Sequence, residues 1–588
     1  MSEGSTAAMP DAEGHPRVSV HHMLVGIGLM LVILGGFTAH QIQTVGGSVR
    51  VESVQFPSAD GKRLSALLYT PDGVDGAHKA PGIVAVHGYI NSRETQSGFA
   101  IEFARRGYVV LALDQTGHGL SQPPAFTNGF GGPDALAYLR ALDTVDTDNV
   151  GLEGHSMGGW AVLAAAAAQP DGYKAMVLEG SAPGSFGAPQ GTQTFPRNLA
   201  VVFSAYDEFS DLMWGVPTGA DVVRSPKLKE IFGSLEPVVP GKLYGYLEYD
   251  SARMLHVPPV THPGDHISTA AIGAAVDWFA LTLKGGTPQP AHHQIWYWKE
   301  LTTFLALVGM VISIVGLGLT MLQWRAARFL IVPLPEPRLA RPGLSVALTA
   351  IVPVLTYFPL FNVAQVFWPV SNLAPQQLTN GLMLWVIVNA MIATAATGIL
   401  GRGSATLASV GLWPSGFHFG RLLGAAAAAV GIVGVAYGLL WAIDDAFLVD
   451  FRFWVIAFKR FAPWHVAPYF MYLMPMTLFF VVLGTSLHQF VVGVGMRRAC
   501  IRCVLILTNG FLALLAIQYI PLLVGIPLPL GEPLLTVLAI QFVVLLTVAG
   551  IIAAIFQRAT GSVYLAAFIN ALLITWSVVA GQATQFAP

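Results

Sequence analysis

From Gly343 to Gly401 the chain contains no Asp, Glu, Lys or Arg. Nothing constrains a fold more than such a stretch, because so long an uncharged apolar run has no stable place in water. A membrane span needs about 20 predominantly apolar residues, and this run is long enough for two. Comparable stretches lie near Val20–Ala39, Thr303–Leu322, Leu344–Val366, Gly381–Leu400, Leu422–Ile443, Val466–Leu487, Ile501–Leu523, Leu534–Phe556 and Val563–Val579. Nine spans are therefore predicted, with an uncertainty of about one. The charged fraction of the whole chain is 11%, against about 25% in soluble proteins. The deficit is confined to the spans. Between Gln41 and Lys284 the charge density is that of a soluble domain.

The predicted organisation is a cytoplasmic tail (1–19), an anchor (20–40), a globular domain (41–284), a linker (285–299) and a membrane domain of about eight helices (300–588). The first span is longer than a signal-peptide core and its flank GGFTAHQIQ is a poor cleavage site, so it reads as a retained anchor. Lys and Arg mark cytoplasmic loops. One set of loops carries Arg325, Arg328, Arg338, Arg341, Arg402, Arg421, Arg497, Arg498, Arg502 and Arg558; the alternate set carries Arg452, Lys459 and Arg460. That ratio of ten to three places the globular domain outside the cytoplasm, and Arg17 ahead of the first span agrees. Trp296, Tyr297 and Trp298 then form an aromatic belt where the second span begins.

Coupled transporters place ionisable groups inside their spans, and no Asp, Glu, Lys or Arg lies well inside these. The interior polar residues Asn389, His488, Asn509, Gln518, Gln541 and Asn570 suit helix-to-helix hydrogen bonds, as Gly434-x-x-x-Gly438 suits close helix packing. An anchoring or substrate-presenting role is expected over transport. A net charge of −2 gives no footing for nucleic acid. Cys500 and Cys503, the two cysteines, lack the second pair a structural metal site needs and read as incidental.

In the globular domain a strand pair (SVRVESVQF, KRLSALLYT) precedes buried runs GIVAV, YVVLALD, NVGLEG and KAMVLEG, with helix-like segments between them. Strands alternating with helices predict an α/β fold: a mostly parallel sheet with helices on both faces, beside an all-α polytopic membrane domain. Gly154-His155-Ser156-Met157-Gly158 fits G-x-S-x-G, between the strand NVGLEG and the helix GWAVLAAAAA. Glycines at those places permit a tight strand-to-helix turn that exposes the serine oxygen.

The succession HGY, LDQTGHGLS and VDTDNVGLEGHSMGG resembles the α/β-hydrolase superfamily, above all its dienelactone-hydrolase-like and esterase branches, over residues 49–283. The resemblance implies a serine nucleophile at Ser156 and an oxyanion hole from the N–H groups of Met157 and Tyr89. It places the acid at Asp207, the last residue of the strand-like run NLAVVFSAYD, with the adjacent Glu208 pointing elsewhere. It places the base in the loop after RMLHV, at His262, with His266 as the alternative. His118, in GHGLS, matches a structural loop and has no catalytic assignment. The stretch from Glu208 to Ala252, with Trp214, Phe232, Tyr244, Tyr246 and Tyr249, is longer than a minimal connection: either it, or the membrane domain itself, roofs the site, or it is an enlarged surface helix. The expectation is a membrane-bound serine hydrolase of esterase or lipase type, with a small-molecule or lipid ester as substrate, membrane lipids as surroundings, and no cofactor, metal or nucleic acid. An acyltransferase, a peptidase, and a transport or sensory protein with a hydrolase-like domain are the alternatives.

Overall fold

A computed structural model describes residues 20–334, 342–400 and 418–586. Arg17, Arg338, Arg341 and Arg402, which enter the orientation count, lie outside the described residues.

The globular domain is built on an eight-stranded sheet in the order β1-β2-β4-β3-β5-β6-β7-β8. Its strands are β1 (Val49–Pro57), β2 (Arg63–Pro71), β3 (Ala80–Val86), β4 (Val109–Asp114), β5 (Val145–His155), β6 (Ala175–Glu179), β7 (Leu199–Val202) and β8 (Arg253–His256). The hairpin β1–β2 is antiparallel and joins β4 antiparallel. From β4 to β8 every pairing is parallel. Parallel strands need crossover connections, and the helices α2 (Ser97–Ala104), α3 (Gly132–Ala141) and α4 (Met157–Ala168) lie in three of them, while α7 (Thr269–Thr282) follows β8 and packs back onto the sheet. Side chains alternate across the central strands. Val84 and Val86 of β3 join the core under α3 and α4, while Ile83 and Ala85 join the core under α2 and α7. Both faces are covered, which is why these strands read as unbroken apolar runs. The 208–252 excursion carries α5 (Ser210–Trp214) and α6 (Pro226–Phe232). Its Trp214, Leu228 and Phe232 are buried in the first of those cores.

The remaining helices are α1 (Val20–Gln43), α8 (Trp296–Met321), α9 (Pro342–Leu355), α10 (Tyr357–Phe367), α11 (Gln377–Leu400), α12 (Phe419–Phe447), α13 (Val466–Val491), α14 (Met496–Leu523), α15 (Pro533–Thr560) and α16 (Tyr564–Gly581). Among the described residues eight helices are long and apolar enough to cross a membrane, or nine if the bent pair α9–α10 is one span. The chain is thus a multi-pass membrane protein. The pair bends by 49° beyond Pro353, whose ring removes a helical hydrogen bond.

Three sequence expectations change here. A Cβ on Gly434 or Gly438 would meet nothing within 4 Å, so that G-x-x-x-G faces away from other helices. The tight helix pair is α1 with α8 instead. A Cβ on Gly309 would lie 2.7 Å from Gly28 O, and one on Gly35 would lie 2.6 Å from Thr302 O. Trp296 leaves the aromatic belt: it is buried in the core under α2 and α7, with its indole N–H on Gln294, while Tyr297 and Trp298 are exposed. β7 ends at Val202, so Asp207 stands in a turn beyond the strand rather than at its tip. The amides behave as expected where they are interior: Gln518 donates to Thr536, Asn389 to Thr356 and Asn570 to Ala549 O. Cys500 and Cys503 are free thiols.

The two parts are docked. A short hairpin between α12 and α13, β9 (Phe451–Phe453) with β10 (Ile456–Phe458), lies against the globular domain. From it Arg452 donates to Thr95 Oγ1 at 2.8 Å and pairs with Glu94 at 3.6 Å. Beyond α16, Thr584 exchanges two backbone hydrogen bonds with the 117–125 loop, each 2.8 Å.

Candidate active site

β5 ends at His155 and α4 begins at Met157, so Ser156 alone makes the turn, with φ +56° and ψ −120°. A non-glycine residue there costs of order 1–3 kcal/mol and persists only where its surroundings hold it. Two backbone bonds do so: Ser156 N–H donates to Glu179 O at 2.7 Å, and Gly159 N–H donates to Ser156 O at 2.9 Å. Side chains are excluded around the turn. A Cβ on Gly154 would sit 2.6 Å from Gly159 N, and one on Gly158 would sit 2.6 Å from His87 O. The loop after β3 comes as close, since a Cβ on Gly88 would be 3.0 Å from Ser156 Cβ. Among the described residues the N–H groups of Tyr89, in that loop, and of Met157, at the N-terminus of α4, donate no hydrogen bond.

Asp207 and His262 come together from the loops after β7 and β8. His262 Nδ1 donates to Asp207 Oδ2 at 2.8 Å, which leaves Nε2 as the acceptor. Burial works against protonation of His262, but the charge and hydrogen bond of Asp207, with the Glu208 and Asp265 charges, together raise the imidazole pKa. The ring is fixed by Phe209, with ring centres 4.5 Å apart, and by Gly180, where a Cβ would be 2.8 Å from Nδ1. Gly180 follows Glu179, the residue that holds the Ser156 N–H, so His262 and Ser156 share one scaffold. His266 is elsewhere. It is buried, its ring centre lies 4.0 Å from that of His155, and neither ring nitrogen has a hydrogen-bond partner among the described residues. Burial, then the neighbouring His155 and His262, push its pKa well below the ordinary value. It also precedes α7, whose N-cap is Ser268, rather than lying in that helix. His118 is buried with Nδ1 on Thr116 O.

Two residues were not legible as parts of the site. Glu208 does turn away from the imidazole, but onto the same loop: its Oε2 accepts the His262 backbone N–H at 2.8 Å. Its Oε1 accepts from Tyr519 Oη of α14 at 2.6 Å. Burial and the nearby Asp207 charge push the Glu208 pKa up to about 7. A carboxylate next to a triad-acid candidate was the only signal in the sequence, and Tyr519 offered none. The excursion thus borders the imidazole through Phe209, and the membrane domain reaches the His262 loop through Tyr519 and Glu208.

Beneath the turn lie further carboxyl groups. Glu153 accepts from Gln96 at 2.8 Å, and burial pushes its pKa up to about 8. Burial, and then Glu153, raise Glu179 well above the carboxylate range.

A mostly parallel sheet with a strained serine after β5, and a bonded Asp and His after β7 and β8, defines a class: the chain belongs to the α/β-hydrolase superfamily. Residues 77–205 match the family model described as serine aminopeptidase, S33. The chain is 33% identical over 135 residues to a monoacylglycerol lipase of Mycolicibacterium smegmatis, covering 22% of this chain and 45% of the lipase. It is 37% identical over 121 residues to the quorum-quenching protein AidA of Acinetobacter baumannii, covering 19% of this chain and 38% of that protein. It therefore spans less than half the length of these curated relatives. Among solved structures, a hyperthermophilic esterase from the archaeon Pyrobaculum calidifontis aligns with TM-score 0.30 and 17% identity, over 45% of this chain and 98% of that one.

Proposed function

We propose that this chain is a membrane-bound serine hydrolase that cleaves acyl esters outside the cytoplasm through an acyl-enzyme at Ser156. The observation that supports this reading is the 2.8 Å bond from His262 Nδ1 to Asp207, which leaves Nε2 as the acceptor a general base needs, in a domain whose Ser156 is strained and partly exposed. His262 takes the Ser156 proton as Oγ attacks the carbonyl, and Asp207 stabilises the imidazolium. The N–H groups of Tyr89 and Met157 are the donors for the oxyanion, an interaction worth several kcal/mol. His262 then protonates the leaving alkoxide and activates water to release the acid. The monoacylglycerol lipase relative supports an ester substrate. The description of the matching family model favours a peptidase as the second reading.

The extracytoplasmic side rests on the arginine and lysine count. The β9–β10 loop supports it: Arg452 and Lys459, two of the three basic residues in the sparse set, fold onto the hydrolase domain and so share its side.

The test is turnover of an ester and peptide panel by the purified full chain. Ester hydrolysis is expected, falling by about 10⁴-fold or more in Ser156→Ala. Peptide cleavage without ester cleavage would select the second reading, and unchanged turnover in Ser156→Ala would remove the nucleophile.

A further inference from the structure

Two cavities in the membrane domain meet end to end. One, of about 590 Å³ counting the space at its mouth, lies among α10, α11, α13, α15 and α16. Its walls are apolar, including Trp385, Phe479, Leu538 and Phe542, and its polar lining residues are Gln541 and Gln582. The other, of about 470 Å³ again counting the open space at its mouth, lies where the bundle meets the hydrolase domain, and is lined by Ile90, Asn91 and Thr95 on one side and Arg452 and Lys459 on the other. Gln541, Leu545, Val578 and Gln582 line both and form the neck between them. Ile90 follows Tyr89, holds φ +59°, and packs against the core of the bundle. The polar cavity therefore abuts the loop that carries one of the two oxyanion donors.

Polarity changes in order along this path: hydrocarbon walls, then amides, then a buried ammonium. At the neck, Gln582 is buried and its Oε1 has no hydrogen-bond partner among the described residues. In the polar cavity Lys459 is buried, donates to Ser92 Oγ at 3.1 Å, and makes no ion pair among the described residues. An ammonium carries three donors, so Lys459 has capacity for an oxygen that enters the cavity. A site with apolar walls and a few polar groups at one end fits an amphipathic molecule.

We infer that the membrane bundle is the acyl-chain site of the enzyme, and that the substrate class is a membrane-lipid ester with one long chain. The chain lies in the apolar cavity, having entered from the bilayer without crossing water. Its ester end passes the neck and reaches the loop of Tyr89 and Ile90, with head-group oxygens toward Lys459 and a head-group hydroxyl toward Gln582 Oε1. This inference rests on the hydrolase reading above, and gives the membrane domain a role beyond anchoring.

The experiment uses the native full chain in detergent or nanodiscs. A long-chain alkyl fluorophosphonate bearing a diazirine near its tail end is reacted, irradiated, and its crosslinks are mapped by mass spectrometry. Phosphonylation of Ser156 with crosslinks in α11, α13 or α15 is the expected result. Phosphonylation with crosslinks confined to the 208–252 excursion overturns the inference and spares the hydrolase reading. No phosphonylation at Ser156 overturns both. A second arm narrows the neck with Leu545→Trp and, separately, Val578→Phe. The ratio of kcat/KM for a decanoate ester to that for an acetate ester is expected to fall by about ten-fold or more, since a filled apolar pocket excludes several methylenes. A ratio within about two-fold of the native one in both variants contradicts the inference.

Discussion

His262 and His266 stand four residues apart in the loop after β8, and both suited the base when read from the sequence. What separates them is the turn His262–Ile267, which aims His262 at Asp207 and carries His266 beneath the elbow to His155. A loop conformation of that kind leaves no periodic trace in sequence, whereas the G-x-S-x-G turn does, because its glycines are required by contact with Gly159 N and His87 O. The strand-to-helix turn at Ser156 was therefore legible, while the course of the loop after β8 was not. His262→Ala is expected to lose about as much activity as Ser156→Ala, because such groups act as a unit. His266→Ala should retain a substantial fraction. Rates on the two folded variants decide it, and an inactive His266→Ala beside an active His262→Ala would contradict the geometry.

At the scale of elements, the strands of the central sheet were legible because burial on both faces leaves continuous apolar runs. The spans were legible by length and hydropathy, and even the bent α9–α10 pair nearly coincides with one predicted stretch. Helix partners were not. Glycine carries little hydropathy signal, so Gly28, Gly35, Gly309 and Gly316 on α1 and α8 look no different from Gly434 and Gly438 on α12, although only the first group meets a neighbouring helix closely. This difference has a measurable consequence. Gly309→Leu should cost about 1–3 kcal/mol by overpacking and lower the Tm of the detergent-solubilised chain. Gly434→Leu, with open space around it, should leave the Tm near the native value. Equal Tm values for both variants would show that α1 and α8 do not pack as described.

For the whole molecule, the sequence divided the chain into a globular and a membrane part but could not show how they meet. The contacts join residues hundreds of positions apart, such as Glu208 with Tyr519 and Arg452 with Thr95. They place the membrane domain against the His262 loop and against the loop after β3. The central claim is that a serine hydrolase works at the outer face of a membrane, on Ser156. A membrane-impermeant fluorophosphonate applied to intact spheroplasts, with the chain then isolated and its peptides read by mass spectrometry, tests it most directly. An adduct on Ser156 before lysis, and none in Ser156→Ala, is expected. An adduct formed only after lysis would contradict the orientation, and no adduct on Ser156 under either condition would contradict the claim itself.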